Sequence, residues 1–341
     1  MSAYRGRRAV QIENDNVRVT VLVEGGHVAE ILHKQSGVNP LWTPPWPSIE
    51  PSTYSLAKHP EYGDDSESKL LAGIMGHNLC LDTFGPPTDE EAAAGMTVHG
   101  EGSVVEYAVR ASGNSIHTAA TLPEARLRFT RALRLEGNRL VFEEEVENLS
   151  ALDRPIAWTQ HVTLGPPFIE RGATQFRAPV AKSFDPATER PFMWPHAPKP
   201  EGGTQDLTTY PAVQKSENFN THLIDPHGEK GWFAAWSPSS KVLIGYIWQR
   251  SDFPWLAIWQ ENHARKQAPW NGRTLTCGME FGASPLAETR KAMIERNRLF
   301  DIPCYRWIPA KSKARVSYSA FVTTAASIPQ TLDDFEVHVA A

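Results

Sequence analysis

The sequence predicts an all-β protein, a large antiparallel β-sandwich with few short helices. Short period-two runs rich in β-branched and aromatic residues recur along the whole 341-residue chain. Asn, Asp, Gly and Pro separate them at short intervals, and only one stretch has convincing helical spacing. Many short strands with little helix must bury their apolar faces against one another, as a sandwich does. One such sandwich accommodates the length, so residues 1–341 are expected to form a single domain.

Along the chain, AVQIEN (9–14), NVRVTVLVEG (16–25) and HVAEILHK (27–34) alternate or cluster β-branched residues and end in turn formers. A meander follows: SVVEYAVRA (103–111), SIHTAATL (115–122), ARLRFTRALRLEG (125–137) and RLVFEEEVENLS (139–150), with EGNR (136–139) marking a hairpin. IAWTQHVTLG (156–165), GWFAAWSP (231–238), KVLIGYIWQ (241–249), FPWLAIWQENH (253–263), TLTCGMEFG (274–282) and ARVSYSAFVTT (314–324) complete the strand series. SPLAETRKAMIERNRLF (284–300) is the best helix, opened by Ser-Pro. The acidic run Asp89–Glu91 reads as a solvated loop or helix start, and Glu101 as an exposed turn residue. Residues 39–68, rich in Pro, Trp and Tyr and without a period, are expected to form a lid-like loop. The irregular tract 184–207 has the same character and is expected to cover the same pocket mouth.

Hydrophobic residues make up 41% and charged residues 21%, which is globular composition. The net charge of −5 leaves no basic field for a phosphate backbone, so nucleic acid is not expected as a partner. No apolar run approaches the roughly 20 residues that span a bilayer. The basic start MSAYRGRRAVQIEN leads into an alternating segment, so neither a signal peptide nor a membrane partner is expected. The expected location is the cytoplasm. Cys80, Cys277 and Cys304 are odd in number and lack CxxC spacing, which fits reduced thiols.

Two histidines stand at strand ends beside glycine, in TVHGEG (97–102) and WTQHVTLGPPF (158–168). A sugar site needs hydroxyl-binding groups, an acid, a base and flat apolar faces. The chain has 12 His and 11 Trp to draw on, but a lone strand histidine is ordinarily structural, so the order of the motifs carries the argument. GIMGHNLCLDTFGPP is followed by TVHGEG, then VENLSALDRPIAWTQHVTLGPPF, then CGMEFGASP and a C-terminal strand. This series resembles the aldose 1-epimerase, or galactose mutarotase-like, superfamily, from about residue 10 to residue 324. Each motif is short; their order is what is specific.

The resemblance implies the galactose mutarotase-like supersandwich fold, a small carbohydrate as ligand and an isomerase activity without a cofactor. It places the family's first histidine at His99, its second at His161 and its late glutamate at Glu280. In the family the glutamate takes the proton of the anomeric hydroxyl, the second histidine protonates the ring oxygen, and the first histidine binds and polarises the sugar. A nearby carboxylate is expected to keep His161 cationic, with Glu280 ionised beside it. Family enzymes for free hexoses carry an arginine before the first histidine; here GIMGHN offers His77 and Asn78, read as substrate-binding. The family's aspartate between the second histidine and the glutamate has only Asp225 and Asp252 as weak counterparts. Trp259 and Gln260 are placed at the pocket floor, because members carry an aromatic-rich strand shortly before the glutamate; a plain core strand with Trp255 and Trp259 on one face is the other reading. Trp158 is expected to pack in the interior rather than stack on a sugar.

Two other functions remain open. One is a noncatalytic carbohydrate-binding protein, or a family member acting on a modified or oligomeric sugar. The other is a metal-dependent sugar isomerase using His77, His99, His161, His263 and Glu280, which the absence of any HxH step disfavours; no metal site is expected.

Overall fold

The structure, a computed structural model, describes residues 2–199 and 202–340. Two antiparallel sheets face each other. The larger has 12 strands and runs from the N-terminal hairpins through Val28–His33, His77–Asp82, Arg154–Leu164, Leu275–Gly282, Trp255–Asn262 and Ser216–Ile224 to Val180–Asp185 and Arg190–Phe192. The smaller has 8 strands, ordered Gln175–Arg177, Lys230–Trp236, Val242–Gln249, Lys313–Thr324, Arg139–Asn148, Leu127–Glu136, Ser115–Leu122 and Ala108–Ser112. The predicted hairpin at 136–139 is present: Leu135 opposes Leu140, and Gly137 takes the positive φ of 57° that a tight turn requires.

Strand alternation decides what each sheet buries. In Leu127–Glu136, the residues Leu127, Phe129, Leu133 and Leu135 face inward, and Phe142 and Val146 do so on its partner. They meet Leu79, Trp158, Val162, Leu256, Ile258, Met279 and Phe281 of the larger sheet in one continuous core. Trp158 is therefore a packing residue, as expected, with its indole N–H donating to Glu144 Oε2 at 2.9 Å.

Helices are few and short. The segment 284–300 is helical only over Arg290–Arg296, where Thr289 caps the N-terminus by accepting from the Ala292 N–H. Asp89–Ala93 is the helix start foreseen for the acidic run, closed by a capping box between Thr88 and Glu91. Glu101 differs from expectation: it is buried, and its carboxylate accepts the Ala125 N–H at 2.8 Å, anchoring the chain after TVHG.

The outer face of the larger sheet is also covered. Residues 39–76, 84–107, 263–274 and 283–305 lie over its middle strands, which are therefore buried on both faces. In the segment 39–68, Trp42, Trp46 and Tyr62 are buried in a second apolar cluster with Trp259 and Trp270. The tract 184–207, of which Pro200 and Glu201 lie outside the described residues, goes elsewhere. It sets Phe192 and Trp194 against His222 and bonds Gln205 to Gln260, and it contributes nothing to the cavity described next.

Candidate active site

Strand pairing alone brings two of the expected residues together. In the central strands His161 lies opposite Glu280 on one side and Asn78 on the other. His161 Nε2 and Glu280 Oε1 are 3.2 Å apart. Two residues along the same face, Thr163 holds His161 Nδ1 at 2.8 Å, which fixes the ring plane. Opposite Thr163 stands Gly278, where a Cβ would come within 2.2 Å of Glu280 Oε1. The glycine of CGMEFG thus leaves the space in which the carboxyl lies.

His99 arrives from a loop. It has φ 67° and is followed by Gly100 at φ 78°, two consecutive left-handed residues that turn the imidazole back over the sheet. A side chain at Gly100 would meet the Leu81 carbonyl oxygen at 2.2 Å, so the His-Gly step is a steric requirement. His99 Nδ1 lies 2.6 Å from the Phe84 carbonyl oxygen. A carbonyl only accepts, so Nδ1 carries the proton and Nε2 offers a lone pair. The His99 and His161 rings are 4.8 Å apart, and the Trp259 ring is 6.2 Å from His161.

These groups line a cavity of about 160 Å³. Its walls are Phe84, Phe219, Trp259 and Trp270, with Leu71, Ile74 and Val98; Glu67 and Arg265 are its remaining charged side chains. A larger trough of about 870 Å³ on the outer face of the eight-stranded sheet has paired charges, such as Arg315 with Glu145, and no comparable histidine–carboxyl pair.

Burial controls the protonation. It pushes the Glu280 carboxyl up to about 8, against the opposing pull of the Arg265 charge. It holds His161 well below its ordinary value, with His99 adding to the effect, and takes His99 down to about 4 despite the bond to Phe84. The expectation of a cationic His161 beside an ionised Glu280 is thus reversed by burial. Isolation from water disfavours both charges, and the pair keeps its one proton on the carboxyl.

The other expected residues separate by strand parity. Trp259 lies on the cavity face, and its indole N–H has no acceptor among the described residues. Gln260, the next residue, points to the opposite face with Ile258 and bonds Gln205, so it is not at the pocket floor. His77 shares the inward face of its strand with Leu79 and Leu81. Its Nε2 donates to Gln160 Oε1 at 3.0 Å, Tyr246 donates to its Nδ1 at 3.2 Å, and burial holds it neutral. It therefore takes no part in the cavity. Asn78 is on the cavity side of the sheet but lies beneath the 101–103 turn, with Nδ2 3.4 Å from Ser103 Oγ and Oδ1 unpartnered among the described residues. Of the two weak aspartate counterparts, Asp252 pairs with Arg306 and neither lines the cavity. Among the described residues no group of three His, Cys, Asp or Glu is disposed to hold a metal ion.

Arg265 had no place in the sequence-based expectations. It sits in the long connection HARKQAPWNGR between two paired strands, where only the coincidence of basic and aromatic residues marks it. Glu67 was missed for the same reason, since a loop has no period to reveal which side chain turns inward.

The family described as "Domain of unknown function (DUF4432)" matches residues 4–304. The chain belongs to this family. No curated protein matches the DUF4432 chain. Its fold is that of the galactose mutarotase-like proteins. A protein of Klebsiella pneumoniae whose name provisionally calls it an aldose 1-epimerase superposes with a TM-score of 0.68 at 16% identity, over 96% of this chain and 82% of that one. A galactose mutarotase related enzyme from Lactobacillus acidophilus gives 0.61 at 12% identity, over 95% and 100%. A galactose mutarotase-like protein from Clostridium acetobutylicum gives 0.61 at 14% identity, over 95% and 98%. At such identities the likeness is one of fold, which hosts several chemistries. Among the described residues no helix is long and apolar enough to cross a membrane.

Proposed function

We propose that this DUF4432 protein is an aldose 1-epimerase-like isomerase that interconverts the anomers of a single-ring sugar. The observation that carries the reading is the contact of 3.2 Å between His161 Nε2 and Glu280 Oε1 inside a cavity shared with His99. The cavity volume of about 160 Å³ is below the roughly 300–1,000 Å³ of sites for larger ligands, which favours one ring over an oligosaccharide. Its aromatic walls suit the C–H faces of a pyranose.

The proton shared by the pair is the one that anomer exchange moves. Binding a sugar beside the pair transfers the proton from Glu280 to His161, a tautomer that the Arg265 charge favours at the carboxylate. Glu280 then takes the proton of the anomeric hydroxyl while His161 donates to the ring oxygen. The C1–O5 bond breaks and the aldehyde forms. After rotation about C1–C2, the reverse transfers close the ring on the other carbonyl face. His99 accepts a sugar hydroxyl proton at Nε2 and orients the ring. No cofactor enters.

Anomer exchange in a panel of free aldoses, followed by NMR, tests the reading. Glu280→Gln and His161→Gln should each slow the catalysed rate by about 10²- to 10⁴-fold while sugar binding persists. A sugar that binds and whose exchange is no faster than in buffer would make the protein a binding module instead.

A further inference from the structure

Around this cavity the charges are unequal. Burial keeps His99 and His161 neutral and pushes the carboxyls of Glu280 and Glu67 up against the pull of the Arg265 charge, and the Arg265 guanidinium is the one cationic side chain in the cavity lining among the described residues. Its position is built in detail. The Glu261 carboxylate accepts from the backbone N–H of Ala264 at 2.7 Å and of Arg265 at 3.0 Å, and the Gly272 N–H closes the loop on the Arg265 carbonyl at 2.7 Å. The guanidinium carbon sits 5.1 Å from the Trp259 ring centroid and 4.8 Å from that of Trp270. Trp42, stacked 6.1 Å from Trp270, and Trp46, edge-on at 5.1 Å, hold that wall.

The fork itself is incompletely used. Nε donates to one oxygen of Glu217 at 2.7 Å, Nη2 lies 2.5 Å from that same oxygen as an ion-pair contact, and Nη1 has no hydrogen bond among the described residues. Glu217 comes from the neighbouring strand and its side chain is 40% exposed, at the watered end of the contact. Such an ion pair is readily exchanged, because an exposed carboxylate gains little from holding a cation. Two parallel N–H···O bonds from the fork to an anionic group are stronger and more selective than a contact to one oxygen.

We propose that Arg265 is the specificity-determining residue of this site and that the preferred ligand is a monosaccharide bearing an anionic group, which displaces Glu217 from the guanidinium fork. The inference rests on the sugar reading above but not on the chemistry assigned to Glu280 and His161. Trp259 adds an apolar face beside the fork and an indole N–H without an acceptor among the described residues. The aromatic cage keeps the guanidinium in place once Glu217 leaves, so little ordering accompanies binding.

Binding is measured by quenching of tryptophan fluorescence, since the guanidinium lies against two indoles, and checked by NMR line broadening of the sugar. The probes are glucose, galactose, glucuronate, galacturonate and glucose 6-phosphate at pH 7. The expected result is binding of at least one acidic sugar about ten-fold or more tighter than its neutral counterpart, with the advantage shrinking as salt rises. The uronate and phosphate arms decide which anion is matched. Arg265→Gln should abolish the preference, and Arg265→Lys, which keeps the charge without the fork, should lose most of it. Glu217→Gln should tighten acidic sugars several-fold. Equal affinity for neutral and acidic sugars, or a preference that survives Arg265→Gln, would overturn the proposal while leaving anomer exchange intact. Acidic sugars that bind through Arg265 without any acceleration of exchange would keep the proposal and end the isomerase reading; no binding by any probe would end both.

Discussion

At the scale of single residues, the exchangeable proton between His161 and Glu280 sets the pH behaviour. The pair can act as an acid and a base together only while it holds one proton. With Glu280 pushed up to about 8, kcat/KM for anomer exchange should be level through neutral pH and fall as pH climbs through about 8, where that proton leaves. The acid side should stay flat to well below 6.5, because burial resists a second proton on His161. The same displacement affects stability. The folded state holds the Glu280 proton far more tightly than the unfolded chain, whose glutamates titrate at about 4.3. The site's contribution therefore declines as pH rises from the ordinary carboxylate range to about 8 and is constant above. Glu280→Gln removes this penalty. Urea titrations should find the variant equal to the parent at pH 4 and more stable by a few kcal/mol at pH 8; a parent whose stability is the same at both pH values would refute the buried, protonated carboxyl.

At the scale of elements, the segment 39–68 reaches the site directly through Glu67, which lines the cavity, and indirectly through tryptophan. Trp42 stacks on Trp270 at an interplanar angle of 9°, and Trp270 in turn forms a wall of the cavity and one side of the Arg265 cage. Trp42→Ala should cost about 3–5 kcal/mol, as removal of a large buried ring does. It should also raise the apparent KM for the sugar more than it lowers kcat, because Trp42 touches the wall and not the proton pair. A kcat loss with unchanged KM would show that the segment acts on the chemistry instead. Strand parity explains how much of this was legible beforehand. The run HNLCLD alternates His77, Leu79 and Leu81 against Asn78, Cys80 and Asp82, so the apolar partners of His77 already put it inside the sandwich. The run WLAIWQEN does the same, setting Trp259 and Gln260 on opposite faces. The sequence order of the strands and the placing of His161 and Glu280 needed only period two and the motif series. The cation at Arg265 and the cover from residues 84–107 needed the paths of aperiodic loops, which no local pattern encodes.

At the scale of the whole molecule, the two sheets are joined behind the cavity by a buried polar cluster. Arg131 of the smaller sheet pairs with Glu144 at 2.8 Å, both side chains within 3% of complete burial. Trp158 donates to Glu144 Oε2 at 2.9 Å and Gln160 does so at 2.7 Å, while Tyr318 donates to Oε1 at 2.7 Å. Gln160 Oε1 accepts from His77 and Arg131, and the Tyr318 hydroxyl oxygen lies 2.9 Å from it. Trp158 and Gln160 belong to the strand that carries His161, so this inter-sheet cluster fixes the register from which His161 faces Glu280. Leaving one charge behind is the costly change: Glu144→Leu strands the guanidinium and several donors and should lose about 3–5 kcal/mol, whereas Arg131→Met with Glu144→Leu together should recover most of that loss. Chemical denaturation of the single and double variants reads the stability, and anomer exchange reads the site. A double variant that regains stability yet exchanges anomers more slowly than the parent shows the cluster holding His161 in place; one that regains both shows that apolar packing alone carries the strand. The first outcome is expected, because removing the carboxylate frees Trp158 and Gln160 together, the hydrogen-bonded anchors three residues and one residue before His161 on its own strand.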